Sequence, residues 1–573
     1  MAASSLGSAT RAASLEALAN RSFDVLVIGG GIGAACAAWD AALRGLSVAL
    51  VERLDFGAGT SAQSFKMLHG GIRYLQHLDI VRLRESCGER GAFLRIAPHL
   101  TRPLPIVVPT YGLGMQSRWL FGAALVLLEL GSFDRNRLTR DRKRHIPRGY
   151  LMNSEQVLGR FPHVEPAGLT GAGVFYDGQI VNPPRAVLAV IRAAAREGAV
   201  AANYCEAQQL LEQDGRVTGA RVQDLLRGEA FDVRAKVTVN ATGPFAPSLA
   251  KRFGSVPLNV PLSRDMAVVV RRVLDPGMAI TLQTKYRDPD AVLSRGNRHL
   301  FIAPWRERYT LMGVNSRVYT EDAYDLKVTE EEIGGFLDEI NEACPALAVR
   351  RNEVTVVNAG LLPFGENNPD SKDLSFGKRS QIIDHAAAGG PEGLVTGMSV
   401  RWTMGRRLGE DVIDLAEQKL GRTRTRSRTA VTPVWGGDIE SVEAYARHIR
   451  RELPASVSDA QAMRLFRDYG TDWRAVAGGD ALVEGTLPGT DYFVSEVRHA
   501  VRSEFALTLA DVVMRRLDLG SAERPTEAAL GLCADVVAQE LGWDQARRER
   551  EIARVLGSYP FASPASQFPV ARV

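Results

Sequence analysis

The stretch from Phe23 to Glu52 constrains the fold more than any other part of the chain. Val25 to Ile28 is a short apolar run of the kind that forms a buried parallel strand. Gly29, Gly31 and Ala34 follow with Gly-x-Gly-x-x-Gly/Ala spacing, and Gly33 lies in the same turn. The first glycine makes a tight turn, the second lets backbone approach a pyrophosphate, and the small third residue lets a helix pack on the strand. Ala34, Ala37, Ala38 and Ala41 line one side of that helix. Its N-terminus offers unpaired N–H groups and a positive dipole end to phosphate. Ser47 to Val51 reads as the second strand and ends in Glu52, an acid placed to accept hydrogen bonds from ribose hydroxyls. A glycine fingerprint alone is a weak signal, because turns imitate it. Strand, glycines, small-faced helix, second strand and terminal acid together specify a dinucleotide site.

A chain of 573 residues is too long for one core, so two or three domains are expected. Its net charge of +4 is too diffuse to imply nucleic-acid binding. The five cysteines (Cys36, Cys87, Cys205, Cys344, Cys533) are scattered, with no Cys-x-x-Cys. They point to a reducing compartment and away from metal centres or a disulfide framework. No 18-residue apolar span is present to cross a bilayer. Residues 1–22 are rich in Ala and Ser and lack the apolar core of a secretion signal. They fit a frayed N-terminal extension with one short helix from Ser14, or a transit peptide.

After Glu52 and Arg53 comes a Gly/Ser/Thr-rich loop, Gly57 to Leu75, carrying Thr60, Ser61 and Ser64. It then packs Lys66, His69, Arg73 and Tyr74 into nine residues. Loops of that composition downstream of a dinucleotide fold line the cofactor. Taken alone, His69 also fits a satisfied core histidine and Arg73 a surface cation.

The run Lys66-x-x-His69-Gly70-Gly71-x-Arg73-Tyr74-Leu75, at this distance from the fingerprint, resembles the FAD-dependent glycerol-3-phosphate dehydrogenases and oxidases, within the D-amino-acid-oxidase-like flavoproteins. The likeness continues through Ala97-Pro98-His99-Leu100, Val239 to Pro244, Ala303-Pro304-Trp305 and Arg401-Trp402-Thr403, and on to Glu496 to Glu504. It thus covers nearly the whole chain beyond the N-terminal extension. The resemblance implies bound FAD. Leu68, Gly70, Gly71, Ala241, Thr242, Gly243, Trp402 and Thr403 would join the loop residues around it, with Lys66, His69 and Arg401. It also implies electron transfer to quinone and a cytoplasmic protein resting peripherally on the inner membrane.

The fold class expected is mixed α/β: a Rossmann-type FAD-binding domain, an antiparallel-sheet substrate domain and an all-α C-terminal domain. Residues 23–115, 150–255 and 355–421 are assigned to the discontinuous FAD-binding domain. Within them Ala199 to Asn203, Gly215 to Gln223 and Ala230 to Val233 read as a meander, and Val237 to Asn240 as a further strand. Residues 256–354 alternate apolar and polar and read as a separate sheet covering the substrate, with a helix from Thr329 to Cys344. Ser441 to Leu453, Ser458 to Tyr469, Val494 to Val501, Thr508 to Leu517 and Thr526 to Leu541 read as amphipathic helices of a 422–560 domain, suited to docking or to a homodimer contact. Residues 561–573 read as a tail. Segment 116–149 places Trp119 to Leu130, apolar but too short to span, before Arg135, Arg137, Arg140, Arg142, Lys143 and Arg144. This suits either contact with anionic lipid or a buried helix with a solvated basic loop.

Flavin oxidises an alcohol when a C–H hydride leaves as the O–H proton passes to a base. His69 is the best base by residue type. The resemblance implies that Arg73 and Tyr74 hold the substrate and that Arg379 lies near the pocket, while Arg401 stands for a lysine. Departures accumulate on the substrate side. A phosphate-binding arginine has become Leu362, a carboxylate is lost at Gly313 to Ser316, and a histidine is lost around Met266–Ala267. Ser64-Phe65-Lys66 and Thr403-Met404-Gly405-Arg406 also differ. Three readings follow: a glycerol-3-phosphate-type dehydrogenase, the same fold acting on a less anionic hydroxy or amino substrate, and a non-catalytic flavin-binding protein.

Overall fold

The computed structural model of the chain describes residues 8–72, 74, 79–112, 114, 117–287, 297–364 and 380–559. Arg73, Arg379 and the tail 561–573 lie outside the described residues. Strand Ser22–Ile28 is the spine, paired in parallel with Val48–Val51 on one side and Ala230–Asn240 on the other. Leu394–Met398 and Val200–Ala202 extend the parallel array outward. These strands are apolar on both faces because both faces are covered. Helices Ile32–Leu43, Pro183–Arg196 and Gly405–Lys419 cover the face carrying Val25, Val27, Val48 and Leu50. Two of these helices meet backbone to backbone: a Cβ on Gly409 would stand 2.6 Å from the Ala37 nitrogen.

The opposite face, with Leu26, Ile28, Ala49 and Val51, corrects two expectations. The N-terminal extension is a helix, Ser8–Asn20, whose Leu15 and Leu18 bury against this sheet. Arg11 anchors it, donating to both carboxylate oxygens of Asp224 at 3.0 Å and to the Asn203 carbonyl at 2.9 Å. The supposed separate strands around Val233 and Val237 are one strand, Ala230–Asn240. Its first half pairs antiparallel with Arg216–Asp224, and its second half pairs parallel with Ser22–Ile28. The charges of Asp232, Arg234 and Lys236 hide this continuity in the sequence.

Among the described residues the second sheet has nine strands, and it is not confined to 256–354. Met67–Leu68, Thr101–Tyr111, Tyr150–Met152 and Leu169–Ile180, all assigned to the FAD-binding stretches, belong to it. They join Leu262–Val270, Ala279–Arg287, Asn297–Trp305, Tyr309–Tyr319 and Val354–Pro363. Helix Glu330–Ala343, opened by a Thr329/Glu332 capping box, packs Ile333, Phe336 and Ile340 on the outer face. That leaves the inner face free to roof the ends of the parallel strands.

The C-terminal region forms helices Val442–Glu452, Asp459–Tyr469, Val494–Ser503 and Glu527–Leu541, as expected, and Gln545–Gly557, which was not. The helix expected over Thr508 to Leu517 is a π-helical stretch, Asp511–Arg516. This domain docks on its own chain through buried charges. Arg185 donates to both oxygens of Glu504 at 3.1 and 2.8 Å, and Arg192 adds a third bond at 3.2 Å. Arg516 forks onto Asp55 at 2.6 and 2.9 Å while Arg515 reaches it at 2.6 Å.

Candidate active site

A cavity of about 810 Å³ lies between the carboxyl ends of the parallel strands and the inner face of the second sheet. Such crevices are where ligands bind in open α/β sheets. At one end the wall is the turn Gly29, Gly31 and Gly33 with Glu52 and Arg53. Ala241, Thr242 and Gly243 close that end from the neighbouring strand. Gly29 has φ +122°, and a Cβ there would lie 2.7 Å from the Ala241 carbonyl oxygen, so two strand ends meet at a position only glycine can hold. Thr60, Ser61, Ser64 and Gly71 line the middle, opposite Trp402. Ser61 accepts from the Ile32 N–H at 3.0 Å and so ties this loop to the start of the helix.

The donor set fits a dinucleotide. The turn is the tight cradle that a pyrophosphate requires. Glu52 stands at the end of the second strand, its carboxylate accepting from the Leu54 N–H at 2.7 Å. The Trp402 Nε1–H is buried at the cavity wall with no hydrogen-bond partner among the described residues, a donor waiting for an acceptor. Burial raises the Glu52 carboxyl to about 7. Ribose hydroxyls donating to it would favour the ionised form. Dinucleotide binding at pH 7 is therefore expected to release about half a proton, seen by calorimetry in buffers of different ionisation enthalpy, and Glu52→Gln to abolish the release.

Ala34, Lys66, Leu68, Gly70 and Thr403 stand behind this wall instead of on it. Lys66 differs most from expectation. Its backbone is left-handed, φ 60°, and its ammonium lies 4.7 Å from the Trp305 ring centroid, away from the cavity. Burial, with Arg306 nearby, lowers its pKa to about 7. Gly70 and Thr403 act through His69. The Gly70 N–H donates to Asp177 at 2.6 Å, and the His69 N–H donates to the Thr403 hydroxyl at 3.1 Å.

His69, Tyr74 and Arg401 come together at the other end of the cavity. The His69 Nδ1 lies 3.5 Å from Asp177, and its ring meets Phe301 edge-on at 6.1 Å. Asp177 is itself fixed by Arg90 at 2.9 Å, so one buried carboxylate holds the next residue's backbone at Gly70 and faces the His69 ring. Sequence reasoning passed over this acid, although Tyr176-Asp177-Gly178 punctuates an otherwise apolar strand. Arg401 stacks over Tyr74 at 5.0 Å and donates to the Ser86 hydroxyl at 3.4 Å. The other arginines on the wall are paired: Arg53 and Arg252 with Glu206, Arg82 with Asp79 and Arg298 with Glu339. Arg401 is the wall guanidinium that pairs with no carboxylate among the described residues.

The family model for FAD dependent oxidoreductases matches residues 24–413, and that for the C-terminal domain of alpha-glycerophosphate oxidase matches residues 427–548. The mitochondrial glycerol-3-phosphate dehydrogenase of Mus musculus is 33% identical over 567 residues, 95% of this chain and 74% of the relative. The glycerol-3-phosphate dehydrogenase of Synechocystis is 29% identical over 555 residues, 93% of this chain and 96% of the relative. The glycerol-3-phosphate dehydrogenase from Bacillus halodurans, solved in complex with FAD, superposes with a TM-score of 0.75 at 22% identity, covering 98% of this chain and 99% of that one.

Proposed function

Since this chain belongs to the FAD-dependent glycerol-3-phosphate dehydrogenase family of FAD-dependent oxidoreductases, we propose that it oxidises the CH–OH carbon of a glycerol-type substrate and passes the electrons to a quinone. The relatives' names point to sn-glycerol 3-phosphate, giving dihydroxyacetone phosphate. FAD supplies, when bound, flavin N5 as the hydride acceptor. His69 takes the hydroxyl proton as the C–H bond breaks. Its backbone is held by Thr403 and its ring by Asp177, so the imidazole is oriented before substrate arrives. Arg401, held against Tyr74, offsets negative charge building on the substrate oxygen. Arg73 and Arg379 complete the substrate contacts in this reading.

The observation that carries the proposal is His69 in the cavity with its imidazole and backbone both anchored. Anaerobic bleaching of the flavin by glycerol 3-phosphate or a related polyol tests it. A yellow protein that no alcohol or amine reduces would instead be a flavin-binding protein without this activity.

Quinone is membrane-borne, and one surface suits such a partner. Among the described residues no helix is long and apolar enough to cross a membrane. Helix Arg118–Gly131 buries Leu125 and Leu128 but exposes Trp119, Val126, Leu127 and Leu130, continued by Phe133 and Leu138. Arg137, Arg140 and Arg142 are exposed beside this face, whereas Arg144 is buried against Thr101 and Arg135 pairs with Glu129. A monotopic contact with anionic lipid matches this pattern. Trp119→Ser with Leu130→Ser is expected to reduce co-sedimentation with phosphatidylglycerol-containing vesicles at least tenfold; unchanged binding would remove this face from the reading.

A further inference from the structure

Strands Leu262–Val270 and Val354–Pro363 set Ser263 opposite Leu362 and Asp265 opposite Gly360. Residues two apart on a strand share a face, so these four form one patch, and Asp265, Gly360 and Leu362 line the cavity. Asp265 and Leu362 are thus diagonal neighbours, about 7–8 Å apart at the backbone. Leu362 is where the family resemblance expects an arginine for phosphate. It brings no donor; Ala267, Val314 and Phe301 make the neighbouring wall largely apolar, with Arg298, His299 and Ser316 as its polar members. Asp265 accepts from the Ser263 hydroxyl at 3.0 Å and pairs in register with Ser316. The arginines nearest it in charge are paired with other acids: Arg264 with Glu332 at 2.7 Å, and Arg298, which itself lines the cavity, with Glu339 at 2.8 Å. Burial raises the Asp265 carboxyl to about 6, which leaves it mostly ionised at neutral pH.

We propose that this wall receives a hydrogen-bond donor, a hydroxyl or an ammonium group, at the end of the substrate remote from the oxidised carbon, and that Asp265 is the specificity-determining residue that selects against phosphate. The inference rests on the oxidation proposed above and narrows its substrate class. Among the described residues, a phosphate dianion placed here would face the Asp265 carboxylate and Leu362, and the one guanidinium on this part of the wall, Arg298, is already neutralised by Glu339. A hydroxyl or ammonium would complete the unfilled acceptor capacity of Asp265, whose other described partners are hydroxyls. Sequence reading missed this acid, because it sits in an alternating strand and belongs to no motif.

The test uses the flavin-loaded enzyme with glycerol, 3-amino-1,2-propanediol and glycerol 3-phosphate, under anaerobic conditions. Binding is read from perturbation of the oxidised flavin band, and oxidation from its bleaching. The wild type is expected to half-saturate with glycerol or the amine at least tenfold below glycerol 3-phosphate. Asp265→Asn should raise the amine value about 10–100-fold if an ammonium is held, and the glycerol value less, while lowering that of glycerol 3-phosphate. Leu362→Arg, which leaves the acid in place, should by itself lower the glycerol 3-phosphate value. Tightest wild-type binding of glycerol 3-phosphate, or equal shifts for all three compounds in Asp265→Asn, would overturn the proposal. Band perturbation without bleaching by any compound would sink the oxidation reading alone, because the half-saturation order is still measured.

Discussion

His69→Asn should leave the protein yellow and slow anaerobic flavin reduction by its best substrate about 10²–10⁴-fold, the usual contribution of a positioned general base. Asparagine keeps the backbone N–H that bonds Thr403, and it removes the imidazole without disturbing the neighbouring Asp177–Arg90 pair. Half-saturation should change little if the role is proton removal, because the loss then falls on the chemical step. Asp177→Asn makes a useful companion. It replaces the oxygen facing the His69 ring with an amide nitrogen and leaves the buried Arg90 charge without its carboxylate, although the amide oxygen can still accept from the Gly70 N–H, so it should lower both rate and melting temperature. A rate untouched by His69→Asn would move the base elsewhere in the cavity.

Glu504→Gln should be the most damaging substitution outside the cavity. Glu504 is fully buried and gathers Arg185, Arg192 and His499. Burial alone would raise its carboxyl, but Arg185, with His499 and Arg192, holds it well below the usual carboxylate range. Removing the charge leaves the buried Arg185 guanidinium without its carboxylate, a loss of about 3–5 kcal/mol, whereas Arg192 keeps Asp472 at 3.0 Å. The sign with pH follows from the depressed value. The wild-type contribution is present above the unfolded carboxyl pKa of about 4.3 and fades as pH falls below it. Urea unfolding at pH 7 should therefore separate variant from wild type more widely than unfolding at pH 3.5. Because Arg516, which donates to the Glu504 carbonyl, also clamps Asp55 three residues beyond Glu52, flavin should leave early in the variant's unfolding. Equal midpoints at pH 7 would show that the C-terminal helices dock by their apolar contacts alone.

Local signals made parts of this molecule legible. The fingerprint strand and helix, and the starts of the C-terminal helices at Ser441, Ser458 and Thr526, follow from nearby residues, and each of those three side chains does cap its helix. What stayed hidden is long-range. Nothing near Thr101 or Leu169 announces that these strands leave the nucleotide domain to pair with a sheet built mostly from residues beyond 262. The N-terminal helix looked frayed because its composition is plain, and its anchor, Asp224, lies 213 residues away. At the site, residue type and loop composition point to His69 and Tyr74 and the family resemblance to Arg401, all of which line the cavity. Lys66 is assigned to the cofactor by the same reasoning, because only the left-handed backbone reveals that it turns to Trp305. Asp177 and Asp265 are isolated acids in strands, and single residues give no pattern to read.

The Asp55 clamp sets an order of events on the ribosome. The nucleotide cradle is among the first parts of the polypeptide to emerge, yet Arg515 and Arg516 follow Asp55 by 460 and 461 positions. Domains that acquire structure from the N-terminus onward would ordinarily complete such a cradle early. Here the acid in the loop behind Glu52 can meet the Asn203 amide early, but it waits for its two guanidinium partners until residues 515 and 516 are made. Chains cut short before Arg515 are therefore expected to hold the prosthetic group less tightly than the full-length chain, as retention of flavin through gel filtration would show.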